Sequence, residues 1–488
     1  MHNVPGRGPH NAAHADSQER LARSPSMIRV FGHYISRIFI GLGAIEFCVL
    51  WLSLLAGYYI RLEARLEQFV APFPTVSALA FGYAGITVLA MIAVGLYQRG
   101  LPWGAGFVLR ILMAFGMSFT ATVLLFYTIP HVTLGRGVVG LTFLFSLVGV
   151  LSVRSLFLRF AGGDVFHHRV LVLGVGRNAA SVRDLEGPDQ LFRVVGFVNV
   201  GEPGDVIPAP RQVRLESSLV DLMVARDADE LVVAVDDRRK RLPVDDILDC
   251  KMSGMQVMDL VSFFEKEASL VNLDVLQPSW LIFSPGFQRR PLVDAGKRAL
   301  DLVGASVMLA VGLPVMTAVA FGVWIESRGR GPILFHQTRV GLGGRPFRLH
   351  KFRSMRADAE ADGVARWATV GDPRVTRFGR FIRKTRLDEL PQLFNVLRGE
   401  MSLVGPRPER PEFVADLSSR LRFYSERHRV KPGLTGWAQL NYQYGSSVDD
   451  AKKKLEYDLY YVKNTSLFLD LVILLETVEI VLWGKGAR

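Results

Sequence analysis

The sequence predicts a membrane protein in three parts: a four-helix transmembrane bundle, a central α/β Rossmann-like domain, and a C-terminal α-rich domain with a re-entrant membrane helix. Three observations carry this reading. Four apolar stretches of about 20 residues follow a polar tail. A strand–glycine–helix pattern then opens an alternation of strands and helices. A fifth apolar run holds a proline at its middle and has basic residues on both flanks.

Of the 488 residues, 49% are hydrophobic and 21% charged, too apolar for an ordinary soluble chain and too charged for a pure membrane bundle. The net charge of +12 favours anionic partners. With so much apolar sequence, these are inner-membrane lipid headgroups and phosphorylated substrates. No zinc-finger spacing or RNA-binding aromatic motif is visible, so nucleic acid is not an expected partner. Cys48 and Cys250 form neither a disulfide framework nor a metal-binding spacing.

Residues 1–29 read as a disordered N-terminal tail, rich in Gly, Pro, Ala and His and without periodicity. Residues 30–160 hold the four spans, near Ile35–Tyr59, Val76–Tyr97, Phe107–Tyr127 and Val138–Leu158. Arg29 and Arg37 precede the first span, Arg99 and Arg110 flank the second loop, and Arg154, Arg159 and Arg169 follow the fourth. This basic excess places both ends of the bundle in the cytoplasm.

Residues 165–286 read as a Rossmann-like, CoA-binding-like domain. HRVLVLG (168–174) is a buried strand, and Gly174-Val-Gly176-Arg-Asn-Ala179 matches G-x-G-x-x-A at the opening of a helix. The pattern permits dinucleotide binding or a tight turn kept for packing. Asn199, at the end of the next strand where an acid would hold a ribose, favours packing.

The fifth apolar run, Leu302–Ile325, carries Pro314. Proline removes a backbone donor and clashes one turn back, so a break is expected there. Arg289, Arg290, Lys297 and Arg298 precede the run, and Arg328 and Arg330 follow it. Basic charge on both flanks fits a helix over 298–326 that enters the membrane and returns to the same face. The last apolar stretch, Leu467–Trp483, carries Asp470, Glu476 and Glu479 and reads as an amphipathic helix lying on the membrane.

The chemistry concentrates in RKTRLDELPQLFNVLRGEMSLVGPRPER (383–410). At 100° per residue, Leu390, Leu393, Phe394 and Leu397 make an apolar face, with Asp388, Gln392 and Asn395 opposite and Glu389 between. Pro391 suits only a first turn, which puts Asp388 and Glu389 at a helix N-terminus, where the dipole favours anions. An ionised, positioned aspartate can attack phosphorus, and its neighbour can hold Mg2+ with phosphates. In an arbitrary helix, two solvated acids would be the commoner outcome. Arg377, Arg380, Arg383 and Arg386 recur every three residues. Arg407 lies in Gly405-Pro-Arg-Pro408, with Arg339, Lys351, Arg353 and Arg356 upstream. Guanidinium forks match phosphate oxygens. Arg328, Arg330 and Lys452–Lys454 read better as membrane-surface residues.

GPILFHQTRVGLGGRPFRLHKFRSM (331–355), RLDELPQLFNVLRGEMSLVGPRPE (386–409), VKPGLTGWAQLN (430–441) and YDLYYVKNTSLFLDL (457–471) stand in the order found in the bacterial sugar transferases. Residues 290–488 thus resemble the catalytic domain of monotopic-type polyprenyl-phosphate phosphoglycosyl transferases. The whole layout is similar to the long exopolysaccharide-initiating form, and MIRVFGHYISR (27–37) resembles the exosortase-linked branch. The resemblance implies transfer of a hexose 1-phosphate from a UDP-sugar to undecaprenyl phosphate, with UMP released; the sequence does not tell glucose, galactose and N-acetylated sugars apart, and UDP-glucose or UDP-galactose is the first choice. It assigns Asp388 as the nucleophile forming an aspartyl phosphosugar, Glu389 as its Mg2+-associated partner, and Lys351, Arg383, Arg407 and Pro408 as active-site residues. Arg339 and Arg353 are further candidate phosphate-binding residues. Pro314 matches the breaking proline of the re-entrant helix, although Leu313 stands where short members carry serine. A second copy of the chain and polysaccharide assembly proteins are the candidate protein partners.

Two other readings compete. A membrane-anchored NAD-dependent nucleotide-sugar dehydratase or epimerase would need a Tyr-x-x-x-Lys pair, and the chain has none. A decayed, non-enzymatic scaffold would not be expected to retain Asp388, Glu389, Lys351 and Arg407.

Overall fold

The computed structural model describes residues 27–63, 73–97, 104–128, 135–161, 167–187, 190–201, 206–215, 218–237, 242–284, 286–287, 291–356, 359, 372–442 and 447–483. Residues 1–26 of the expected tail, and Arg99, Arg289 and Arg290, lie outside them. The chain divides into two compact units. One comprises Met1–Val30 with Tyr34–Leu276, the other Phe31–His33 with Gln277–Arg488.

The expected tail ends earlier than residue 29, because Met27–Val30 (β1) pairs with His33–Ser36 (β2). Phe31 and Gly32 between them have φ of 48° and 96°. Two central residues at positive φ are the mark of the tight hairpin turn that suits strand twist.

Four helices follow: α1 (Arg37–Glu63), α2 (Phe73–Ala93), α3 (Ala105–Thr128) and α4 (Arg136–Ala161). Each contains a stretch long and apolar enough to cross a membrane. α1 packs on α2 and α4, and α3 packs on α2. Gly57 lets α1 and α4 approach closely, since a Cβ there would stand 2.9 Å from the Thr142 hydroxyl. Two of the arginines expected as cytoplasmic flanks are instead interior. Arg154 binds Glu46 (Nη2–Oε2 3.1 Å) and the Leu96 carbonyl at 2.7 Å, and Arg110 donates to the Val94 carbonyl at 2.7 Å. Charges at this depth survive because each has a partner.

β3 (His168–Leu173), α5 (Arg177–Leu185), β4 (Phe192–Asn199), β5 (Gln212–Arg214), α6 (Leu219–Ala225), β6 (Glu230–Val233), α7 (Val244–Met252), β7 (Gln256–Asp259) and α8 (Leu260–Ala268) come next. The five strands form one parallel sheet in the order β5-β4-β3-β6-β7. That is the doubly wound order expected of a Rossmann-like domain. Leu171, Leu173, Val198, Leu219, Leu231 and Cys250 fill one side of it. Each large aliphatic side chain there stabilises by about 1.5–3 kcal/mol.

The glycine turn opening α5 is a packing feature. Gly174 has φ 129°, and a Cβ would lie 2.7 Å from the Ala234 carbonyl. The helix N-terminus, where a Rossmann domain holds pyrophosphate, is filled by the chain itself. Asp236 Oδ2 accepts from the Arg177 amide at 3.0 Å, and Oδ1 from the Asn178 amide at 2.9 Å.

The second unit holds α9 (Pro278–Phe283), α10 (Pro291–Glu326), β8 (Leu334–Val340), β9 (Pro346–Phe352), α11 (Arg377–Lys384), α12 (Gln392–Arg398), β10 (Ser402–Val404), α13 (Pro411–Arg420), β11 (Gly433–Thr435), α14 (Trp437–Asn441), α15 (Val448–Lys463) and α16 (Leu467–Trp483). α9 falls here and not in the Rossmann-like domain, which the sequence extends to residue 286. The Lys463 ammonium sits 3.8 Å from the centre of the Trp280 ring and fastens it.

α10 carries Pro314 inside it. It begins at Pro291, not 298, and remains helical through Pro314 to Glu326. The Thr317 hydroxyl donates to the Leu313 carbonyl at 2.9 Å. Both arms of α10 pack on the same unit. Lys297 reaches the Val404 carbonyl (2.9 Å) and Asp470 (2.7 Å), and Asp301 accepts from the Leu403 amide (2.8 Å). At the far end, Met316, Val319 and Val323 join Phe352 and Ile382 in one core, and Glu326 accepts from the Phe378 amide at 2.8 Å. Between the arms Val303, Val307 and Val311 are exposed, Val311 to 76%.

The acids of α16 face inward. Asp470 and Glu479 are buried, while Leu467, Leu471, Val478 and Val481 are exposed. The exposed face is therefore apolar.

Candidate active site

Asp388 and Glu389 sit on a short 3-10 turn, Leu387–Glu389, ahead of α12 rather than within it. Arg386 starts the turn at φ 59°, and Pro391 directly precedes α12. Both acids are buried, at 7% and 8% exposure, which excludes the solvated-acid reading. The polar face of the segment looks into the protein, with Asn395 fully buried, while Phe394 on the other face is 43% exposed.

β9 pairs antiparallel with β8 and carries Lys351 to the acids. Asn395 fixes its height. The Asn395 side chain donates to the Arg348 carbonyl (2.8 Å) and accepts from the His350 amide (3.2 Å). Arg407 arrives at the end of β10, which pairs parallel with β11. Its turn is built on glycine contacts. A Cβ on Gly405 would lie 2.3 Å from the Lys431 carbonyl, and one on Gly436 would lie 2.1 Å from the Gly405 carbonyl.

Two cations converge on one oxygen of Glu389: Lys351 Nζ at 3.1 Å and Arg407 Nη2 at 2.7 Å. Burial alone would raise the Glu389 carboxyl, yet Arg407 and Lys351 hold it well below the usual range. Asp388 is pushed upward by burial and by the Glu389 charge, against the pull of Lys351, Arg383 and Arg407. Among the described residues no hydrogen bond ties up its carboxylate. The two neighbouring acids are thus differentiated, one clamped and one available.

The other expected residues divide. Arg383, at the end of α11, lies within electrostatic reach of Asp388. Arg339 holds the turn rather than the acids, donating to the Pro408 carbonyl at 3.1 Å and to Gln337 at 2.7 Å. Burial lowers its guanidinium to about 10. Arg353 is not brought to the acids, since its guanidinium donates to the Arg330 carbonyl at 3.1 Å and stands against Gly331. Arg386 has left the α11 arginine stripe but reaches to 4.0 Å from Glu389. Lys454, expected at the surface, is partly buried within reach of Glu409 and Arg407.

Sequence reasoning misses Arg427 and Asp458. Arg427 donates to the Arg407 carbonyl (3.0 Å) and pairs with buried Asp458 at 2.7 Å. Asp458 sits in the YDLYY motif, and a lone acid among aromatic helix residues is the available signal.

Among the described residues, no group of three His, Cys, Asp or Glu side chains forms a metal cage. Two adjacent carboxylates do fit the Mg2+ habit of one or two protein oxygens completed by phosphate and water.

An acid pair among cations, joined to helices of membrane-crossing length, defines a membrane protein suited to phosphate group transfer. Residues 292–484 match the family described as bacterial sugar transferase. The chain is 33% identical over 378 residues to a UDP-glucose:undecaprenyl-phosphate glucose-1-phosphate transferase of Xanthomonas campestris pv. campestris, covering 72% of this chain and 75% of that one. It is 42% identical over 239 residues to a UDP-N-acetylgalactosamine-undecaprenyl-phosphate N-acetylgalactosaminephosphotransferase of Aeromonas hydrophila, covering 49% of this chain and 55% of that one. An undecaprenyl-phosphate glucose phosphotransferase of Komagataeibacter xylinus is 45% identical over 208 residues, covering 41% of this chain and 39% of that one. The chain thus spans about half or less of the length of the last two relatives. It belongs to the bacterial sugar transferase family.

Proposed function

We propose that the protein transfers a hexose 1-phosphate from a UDP-sugar to undecaprenyl phosphate, the step that initiates assembly of an exopolysaccharide or related polymer. The observation that carries this reading is the differentiated pair: Glu389 is held by Lys351 and Arg407, while Asp388 beside it has no hydrogen bond among the described residues.

An Asp388 oxygen attacks the β-phosphorus of the donor. The P–O bond to UMP breaks, UMP leaves with the electron pair, and the sugar 1-phosphate stays on the aspartate as an acyl phosphate. A phosphate oxygen of undecaprenyl phosphate then attacks the same phosphorus, forms the lipid-linked diphosphate sugar and frees the carboxylate. Lys351 and Arg407 neutralise charge on the transferring group, and Arg383 adds a further cation. Mg2+, held by Glu389 and the donor's phosphates, would supply further charge neutralisation.

The acceptor's headgroup lies at the bilayer surface. Support for a re-entrant α10 comes from its two arms, which pack on one unit with an exposed apolar stretch around Pro314 between them. In this reading both ends return to one face, the cytoplasmic one, where UDP-sugars are made. The X. campestris relative is named for glucose and the A. hydrophila relative for N-acetylgalactosamine. Glucose is the first choice on the longer match.

The test is UMP release from membranes supplied with undecaprenyl phosphate and a panel of UDP-hexoses and UDP-N-acetylhexosamines. Release from one donor, abolished by Asp388→Asn, is expected. Undiminished release from the Asn variant overturns the aspartyl intermediate.

A further inference from the structure

The hairpin turn Phe31–Gly32–His33 groups with the second unit although it precedes the first membrane helix by only a few residues. His33 is buried there. Its Nδ1 lies 2.8 Å from the Tyr460 hydroxyl, a bond between residues 427 positions apart. Its ring meets the Trp437 ring edge-on at 5.5 Å, and Trp437 stacks on Tyr460 at 6.2 Å. Gly32 lies so close to Asn464 that a Cβ would stand 3.0 Å from Asn464 Oδ1, and Phe31 faces the Phe468 ring at 6.3 Å.

These partners lead back to the transfer site. Trp437 follows Gly436, whose backbone touches Gly405. The hydroxyl of the next residue, Tyr461, donates to Asp470 at 2.6 Å and lies 3.2 Å from the Val404 carbonyl. Val404 and Gly405 immediately precede the turn that holds Arg407 on Glu389.

We infer that Phe31–Gly32–His33 is a positioning strap of the transferase site, with His33 fixing Tyr460 and Trp437 and, through them, the Gly405–Arg407 turn. This rests on the reading of Arg407 as part of that site. A buried histidine with a directed hydrogen bond and an aromatic edge restricts both partners at once, and a displaced phosphate-binding turn loses catalysis steeply.

The test uses the full chain in lipid nanodiscs, with His33→Ala, His33→Asn and Tyr460→Phe. Asparagine can place a polar atom near the Nδ1 position, and Tyr460→Phe keeps the ring stack while removing the hydroxyl. Amide hydrogen exchange at 402–408 and 433–437 is expected to quicken in the Ala and Phe variants and to recover in the Asn variant. UMP release per folded molecule should fall roughly tenfold to a hundredfold in His33→Ala with little change in donor KM. Exchange unchanged by both Ala and Phe, or activity lost only in proportion to folded protein, overturns the strap. A wild-type chain that releases no UMP from any donor overturns the transferase reading instead, and the exchange pattern still decides whether the turn is held by His33.

Discussion

Arg427 donates to the main-chain carbonyl of Arg407 at 3.0 Å, so one buried guanidinium sets the direction of another that faces the acids. The residue that meets Glu389 is therefore held at its main chain by a neighbour 20 positions away. Asp458 completes the arrangement by balancing the Arg427 charge at 2.7 Å.

Breaking that pair should be costly. Arg427→Met leaves Asp458 buried and unpaired, and a loss of about 3–5 kcal/mol is expected. Arg427→Met with Asp458→Leu should recover much of the stability but not the kcat, since the Arg407 carbonyl stays unheld. Thermal unfolding and UMP release, measured together, check this.

Asp388→Asn and Glu389→Gln should fail differently. The first should lower turnover by more than about a thousandfold with donor binding retained, the scale for removing a nucleophile. The second leaves Lys351 and Arg407 without their buried counter-charge and should also destabilise the fold. Donor affinity by equilibrium binding separates the two.

The Asp236 carboxylate should exclude dinucleotides. No saturable binding of NADH is expected by fluorescence titration of the wild-type chain. Asp236→Ala should lower stability by about 1 kcal/mol, the usual cost of losing a helix cap, and leave UMP release unchanged.

The Rossmann-like domain should weaken in alkali. His168 is buried among Glu230, Glu267 and Lys266, with the Phe192 ring beside it. Burial opposes its charge, but Glu230 and Glu267 raise it above the ordinary 6.5. Its contribution is complete below about pH 6.5 and is lost as the pH climbs through the raised folded value. Glu230 behaves oppositely: burial raises it, but His168 and Lys266 bring it below 4.5, so its share is lost only in acid. Amide protection in β3 and β6 should fall as the pH rises above about 6.5 through the raised folded value, and His168→Gln should flatten that dependence.

The layout was legible because its signals are local. Apolar length marks the helices, and strand–helix alternation marks the parallel sheet. Adjacent acids beside a proline locate the turn carrying Asp388. What escapes depends on contacts distant in sequence. Arg353 and Arg339 look equivalent to Lys351 as cations, and only folding turns one to the Arg330 carbonyl and the other to Pro408. Arg110 and Arg154 look like loop charges until Glu46 and the Val94 carbonyl claim them. The hairpin residue His33 carries no local mark of a partner in α15.

The backbones of Gly405, Gly433 and Gly436 touch with no room for a methyl group between them. A turn so confined offers evolution nothing to adjust. If bacteria using this scaffold are to exchange one hexose for another, the variation must enter through residues bordering the cradle, and engineers seeking a new donor preference should leave those three sites alone.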